Sequence, residues 1–301
     1  MNNLLITKLL ERANLNFQDR RMLFLILYLS ILVVVLSKSI KPSTPSDLFI
    51  MPWMCLERCG DNSADITAEI AQFQVNRSSF TDVSFELFNL GPNSTLIVNN
   101  LTRVSNQLNA LGLGTWPMVS SYPYPPEFLT WMRQVFATPQ PFFDSVISSA
   151  KEIGATGLNI DWEPTSAGPK VTKQDPIDYA NFLDQLAVQA HLNGLKVSVD
   201  VATWSDIWDL KLIGATRVDY IANMETYVKN NTVWLQELAA SLELLPVDKL
   251  VVGLECDVDL TDNDIALRLN ALLAAKIKQI GIWKSPIPDN WWTLLDAFTK
   301  Q

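Results

Sequence analysis

Strand-like stretches alternate with helical ones from residue 47 to 301, over roughly the ~250 residues that a closed α/β barrel takes. No glycine-rich phosphate loop supports the open doubly wound sheet, which would show the same alternation. Together these observations predict an α/β protein, a (β/α)8 TIM barrel. Its strands are expected at 47–54, 82–90, 112–120, 157–163, 196–203, 218–224, 250–255 and 279–283. Helical patterns lie between them, as at 142–153, 177–192, 233–245 and 262–276. With 301 residues and 48% hydrophobic content, the chain has enough apolar material for one large core or two modest ones. Neither an internal repeat nor a low-complexity tract is present.

A targeting segment precedes the barrel. Met22 to Leu36 is apolar apart from Tyr28 and Ser30; Arg20 and Arg21 stand directly before it, Lys8 and Arg12 further upstream, Lys38 and Lys41 after it. That bias predicts a cytoplasmic segment at 1–21, a membrane helix at 22–40, a linker at 41–46 and the barrel at 47–301. Extension to Ile40 brings the run near the ~20 residues of a spanning helix. A cleaved signal peptide ending at Val35-Leu36-Ser37 is the alternative, against which the long leading segment speaks. A single-pass type II anchor and a secreted product both leave the barrel in the secretory lumen or outside the cell. N-glycosylation sequons at Asn76, Asn93, Asn100 and Asn230 agree.

Of three cysteines, Cys55, Cys59 and Cys256, one disulfide and one left-over thiol are expected. Cys55 with Cys59 is the local choice, although either can pair with Cys256. A net charge of -9 and the lack of a basic stripe argue against nucleic acid. The single histidine, His191, falls in a helical stretch and reads as a surface residue. Its isolation argues against Ser-His-Asp and histidine-rich metal chemistry, so neither metal nor cofactor is expected.

The fourth strand carries the chemistry. In Gly157-Leu158-Asn159-Ile160-Asp161-Trp162-Glu163-Pro164, apolar Leu158, Ile160 and Trp162 alternate with polar Asn159, Asp161 and Glu163. Apolar helical segments on both sides predict a central strand, where burying unpaired carboxylates costs several kcal/mol each, roughly. Such a row reads as a site; a solvated edge strand or a structural ion pair is the blander reading. Active sites of these barrels lie at the C-terminal strand ends, which here supply Trp53, Trp204, Met224, Tyr227, Glu255 and Trp283. Indoles suit the flat faces of sugars, with core packing the rival reading for each. Trp283, at the end of the eighth strand, is the best platform.

These residues resemble a family. Thr156 to Glu163 is similar to the fourth-strand signature D-G-x-D-x-D-x-E of family 18 glycoside hydrolases, the chitinase and chitobiase group. The resemblance extends over the barrel in strand order and spacing, and Trp283 falls where the family has its last-strand tryptophan. Thr156 and Asn159 depart from the signature's first two acids, while Asp161 and Glu163 match its last two. At the sixth strand the family reads M-x-Y-D; here Met224-Glu225-Thr226-Tyr227 puts the tyrosine one place late and omits the acid, unless a bulge realigns it. Many chitinases carry a small lobe after the seventh strand. Only residues 256–260 follow that strand here before the next helix, so the lobe is expected to be missing and the cleft shallow.

Asp161 and Glu163 stand ~6.6 Å apart along one strand, on one wall, and so are poorly placed to flank a sugar as acid and nucleophile. The resemblance implies a substrate-assisted retaining route instead. Glu163 is then the general acid, Asp161 orients the 2-acetamido group, and Asn159 hydrogen-bonds Asp161 from behind. The expected substrate is a β-linked N-acetylglucosamine chain: chitin oligomers, the chitobiose core of N-glycans, or another such glycan. Two alternatives stand beside it. One is a retaining glycosidase with Glu163 as acid/base and Glu255 as nucleophile, though such enzymes typically carry Asn, not Trp162, before the fourth-strand acid. The other is an inactive, lectin-like carbohydrate-binding barrel.

Overall fold

The computed structural model describes residues 48–60, 63–256 and 259–301. The segments expected at 1–21, 22–40 and 41–46 lie outside the described residues. Among those described, no helix is long and apolar enough to cross a membrane.

In chain order the strands are β1 (Phe49–Met54), β2 (Asp82–Leu90), β3 (Leu96–Val98), β4 (Gly114–Ser120), β5 (Gly157–Asp161), β6 (Lys196–Val201), β7 (Tyr220–Asn223), β8 (Leu250–Glu255) and β9 (Gln279–Trp283). All but β3 pair in parallel, in the order β1-β9-β8-β7-β6-β5-β4-β2, and β1 pairs again with β2 to close the ring. The expected barrel therefore forms, each strand within two residues of its predicted limits. The three-residue β3 runs antiparallel to β2 (Phe88 opposite Val98) and is too short to show a sequence period.

The described α-helices are α1 (Ser63–Val75), α2 (Thr102–Ala110), α3 (Phe128–Ala137), α4 (Gln140–Glu152), α5 (Asp175–Leu192), α6 (Leu210–Gly214), α7 (Asn231–Leu244), α8 (Asp262–Ala274) and α9 (Asp289–Thr299). Their starts are written locally. Asp209 caps α6, Asn230 caps α7, and Thr261 with Asp264 forms a capping box on α8, each supplying acceptors to otherwise unpaired N–H groups. Residues 256–261 alone connect β8 to α8, so the extra lobe is missing as expected.

The barrel interior is packed at its N-terminal end. Phe49, Met51, Trp53, Trp116, Met118, Ala222 and Val251 form one buried cluster, with Tyr220 stacked on Phe49 at 4.0 Å. Gly281 is required there: a Cβ would stand 2.1 Å from the Trp53 ring. Above this plug, space opens at the C-terminal mouth. Outside the ring, Trp162 is fully buried, stacked on Phe182 (4.9 Å) and Tyr179 (6.0 Å) of α5 and edge-on to Phe128 and Phe142. Leu158 and Ile160 are equally buried, so the strand expected to show two faces does so.

Cys55 and Cys59 form the disulfide, while Cys256 is buried and outside it. His191 lies at the surface, 2.9 Å from Asp219.

Candidate active site

The plug and the strand alternation turn Asn159 and Asp161 inward, and Glu163 follows just past the end of β5. A cavity of about 260 Å³ opens above them, lined by Asp161, Glu163, Trp53, Trp204, Met224, Tyr227 and Trp283. Seven residues chosen from the sequence thus meet in one place. Arg58, Tyr124 and Asp200 join them, and sequence reasoning missed all three. Glu255 is not among the described lining residues.

The platform residues differ in what they offer. Trp283 is half-buried and faces the cavity, whereas Trp204 stands 58% exposed at the rim, edge-on to Trp208. Trp53 is only 1% exposed and donates its indole N–H to Asn159 Oδ1 at 3.0 Å. Its polar edge is thus committed to the protein, and it forms part of the cavity floor. Tyr227 reaches the cavity without a bulge. A 3-10 turn at Met224–Thr226 carries the chain from β7 to Tyr227, and buried Thr226 anchors it by donating to the carbonyls of Asn223 and Gly253. Burial and the surrounding acids raise the Tyr227 phenol well above its usual range.

Asn159 was expected to hold Asp161; instead it holds Asp200. Its Oδ1 accepts from Trp53 and Ser84 (3.1 Å), and its Nδ2 donates to Asp200 Oδ1 (2.9 Å) and Ser198 (3.3 Å). The reason is geometric. Residues two apart on a strand are ~6.6 Å apart, whereas neighbouring strands run ~4.8 Å apart, so the lateral partner is closer. The Asn159 amide supplies Asp200 with a donor and Trp53 and Ser84 with an acceptor at the same time. Asp200 is buried, and burial with the nearby Asp161 charge raises its carboxyl well above the usual range. Thr156 stands below the start of β5, where its hydroxyl accepts from the Thr115 N–H, about 16 Å along the strand from Asp161.

Arg58 organises the acids. It lies in the loop closed by Cys55 and Cys59, directly after β1. Its Nε pairs with Glu86, and its Nη2 donates to Asp161 Oδ2 at 2.6 Å and Ser120 Oγ at 2.9 Å. Nη1 is 3.6 Å from Glu163. The guanidinium stands 5.4 Å from the Trp283 ring centroid and 5.6 Å from that of Tyr124. Burial opposes its charge, yet Asp161 and Glu86 keep it protonated beyond its usual range. Asp161 Oδ1 is buried with no hydrogen-bond partner among the described residues.

Glu163 is pushed up to about 8, first by burial and then by the Asp161 charge, with Arg58 pulling the other way. A carboxyl so tuned holds its proton at neutral pH and has a second, ionisable acid beside it. Such a pair is the pattern of acid/base chemistry. Among the described residues no group of three or more His, Cys, Asp or Glu side chains is arranged to hold a metal ion.

Signals for the missed residues exist in hindsight. Arg58 is a charged residue inside a short Cys-to-Cys loop at a strand's C-terminal end. Asp200 continues the Ser198 alternation on β6. Tyr124 sits among prolines and takes a left-handed φ of 60°, unusual for a bulky residue.

Fold and site together define a barrel with a tuned pair of acids at its C-terminal mouth. Comparisons with family models and with curated protein sequences find no match. Solved structures do match. A chitinase from Chromobacterium violaceum superposes with a TM-score of 0.69 at 14% identity, covering 84% of this chain and 99% of that one. The spore cortex-lytic enzyme SleL of Bacillus megaterium gives 0.68 at 13%, covering 85% and 76%. A mutant class V chitinase from Nicotiana tobaccum in complex with NAG4 gives 0.67 at 11%, covering 85% and 99%. At these identities the likeness establishes the fold, and it is the fold that the fourth-strand resemblance implies.

Proposed function

We propose that the chain is a glycoside hydrolase that cleaves β-linked N-acetylglucosamine chains with retention, by substrate-assisted catalysis. The observation that carries this reading is the placement of Glu163 and Asp161 together in the cavity, where burial and the Asp161 charge push the Glu163 carboxyl up to about 8. Glu163 gives its proton to the glycosidic oxygen as the bond to the anomeric carbon breaks, and the substrate's acetamido oxygen bonds to that carbon from the other face. Asp161 accepts the acetamido N–H and offsets the positive charge of the cyclic intermediate. Glu163, now a carboxylate, then deprotonates the water that reopens it. Solved relatives in fold that are chitinases, one carrying NAG4, support the substrate class.

The test is release of the fluorophore from a labelled chitobioside, with proton NMR following the first anomer formed. Turnover with retention, lost in Glu163→Gln and absent for the plain glucoside, is expected. Cleavage of glucosides that depends on Glu255 would instead support the fourth/seventh-strand pair. Tight binding of the oligosaccharide without turnover would make the protein a lectin.

We further propose that residues 22–40 deliver the barrel to an oxidising compartment as an uncleaved anchor. The Cys55–Cys59 disulfide supports translocation, and so does the surface placement of Asn93, Asn100 and Asn230. Sequencing the mature N-terminus tests the anchor; a start near Lys38 or Ile40 would refute it.

A further inference from the structure

We infer that Arg58 is a positioning residue: carried on the disulfide-closed loop, it locks one oxygen of Asp161 and thereby fixes the orientation of that carboxylate beside Glu163 at the cavity. This inference rests on the glycosidase reading above.

The loop is built around that side chain. The backbone N–H groups of Glu57 and Arg58 both donate to Glu86 Oε2, at 2.6 and 3.0 Å. The Glu57 carboxylate in turn accepts from Asn89 (2.8 Å) and Asn99 (2.6 Å). With Cys55 bonded to Cys59, the five-residue turn is tied to β2 and to the segment after β3. A surface arginine needs none of this. Only 12% of the Arg58 side chain is exposed, and its Nε and Nη2 donate to two buried carboxylates on different strands.

The contacts are unequal in a way that suits the chemistry. Arg58 clamps Asp161 at 2.6 Å but stays 3.6 Å from Glu163. The acid that must deliver and recover a proton is thus spared a close ion pair with the guanidinium, while the acid that must hold an orientation is clamped by it. A guanidinium suits this task because it cannot deprotonate and its planar fork bonds several acceptors at once. The same contact could instead act as a plug that keeps the cavity shut, and the two roles predict opposite results.

The full chain is compared with Arg58→Met and Arg58→Lys by kcat and KM on the labelled chitobioside and by pH profile. Carboxyl carbon NMR follows Glu163 directly. The groups facing Arg58 are Glu86 on β2, Ser120 on β4, Tyr124 after it, Asp161 and Glu163 at β5, and Trp283 on β9. In Arg58→Met, kcat is expected to fall about 10²-fold, the scale of a ~1 Å misplacement, with KM little changed. The alkaline limb set by Glu163 should move upward, because the positive charge that restrains it is gone. Arg58→Lys should keep the limb and recover only part of kcat. Unchanged or faster turnover in Arg58→Met, or a Glu163 titration the same in all three proteins, overturns the inference. If Arg58→Met does not fold, Cys59→Ser keeps the arginine but opens its loop. A loss of kcat there supports positioning, and unchanged kcat overturns it. Absence of turnover in the unaltered protein would fail the glycosidase reading, while the NMR titration would still decide whether Arg58 governs the pair.

Discussion

Replacing Glu163 by Gln separates function from stability in opposite directions. In the folded protein the carboxyl is raised from a usual 4.5 to about 8, mainly by burial. At pH 7 about nine-tenths of the molecules then carry the proton, against about 0.3% for an ordinary glutamate, so the fold enriches the acid form about 300-fold. Glutamine cannot donate it, and turnover should fall by ~10²–10⁴-fold. The same shift has a stability sign. A raised carboxyl stabilises the fold fully below 4.5, and that contribution is lost as pH rises toward about 8. Wild type should therefore lose about 1.4 kcal/mol per pH unit relative to Glu163→Gln across that window. The variant would be the more stable by at most about 3 kcal/mol at pH 7, less what the 22% exposure of the side chain screens. Urea unfolding of both proteins at pH 5, 7 and 9, beside their rates, measures this. The activity of wild type should also decline above pH 8. Parallel stability curves, or a variant that retains its rate, would refute the tuned general acid.

Three further substitutions probe the frame. Trp162→Ala empties a fully buried site between β5 and four aromatic rings and should cost about 3–5 kcal/mol in denaturant unfolding. Gly253→Ala would set a Cβ 2.5 Å from Tyr227 and 2.7 Å from the Asn223 carbonyl; about 1–3 kcal/mol of destabilisation and a raised KM are expected, read by thermal melts and kinetics. Arg133→Gln removes the forked bond that chiefly holds Asp175 down to about 2. That depressed carboxyl stabilises the fold above 3.8 and stops doing so as pH falls through about 2. Because Arg133 is 35% exposed, the gap at pH 7 should be a discounted ~1–2 kcal/mol, closing between pH 4 and 2 in unfolding experiments.

Periodicity made the barrel legible. Each strand is a short local run, continuously apolar as in β1 or alternating as in β5, and helical segments lie between them, so neither needs knowledge of what it packs against. The pair Asp161 and Glu163 was legible for the same reason: two carboxylates on the inner side of a central strand conflict with burial unless they have a task. Tyr227 was visible as a residue but not as a placed one, since the turn that brings it to the cavity depends on Thr226 reaching the carbonyl of Gly253 on the next strand.

What the sequence by itself determined is the fold and the placing of two neighbouring acids at the C-terminal end of the barrel, because these follow from residue order along single strands. Only the tertiary structure decided who holds those acids. Asn159 turned to Asp200 because the lateral spacing between strands is shorter than the step along one. Arg58 reached Asp161 across 103 positions of sequence because ring closure brings the loop after β1 over the mouth of β5. Charge partners chosen by closure leave no period in the chain, and so no local pattern announces them.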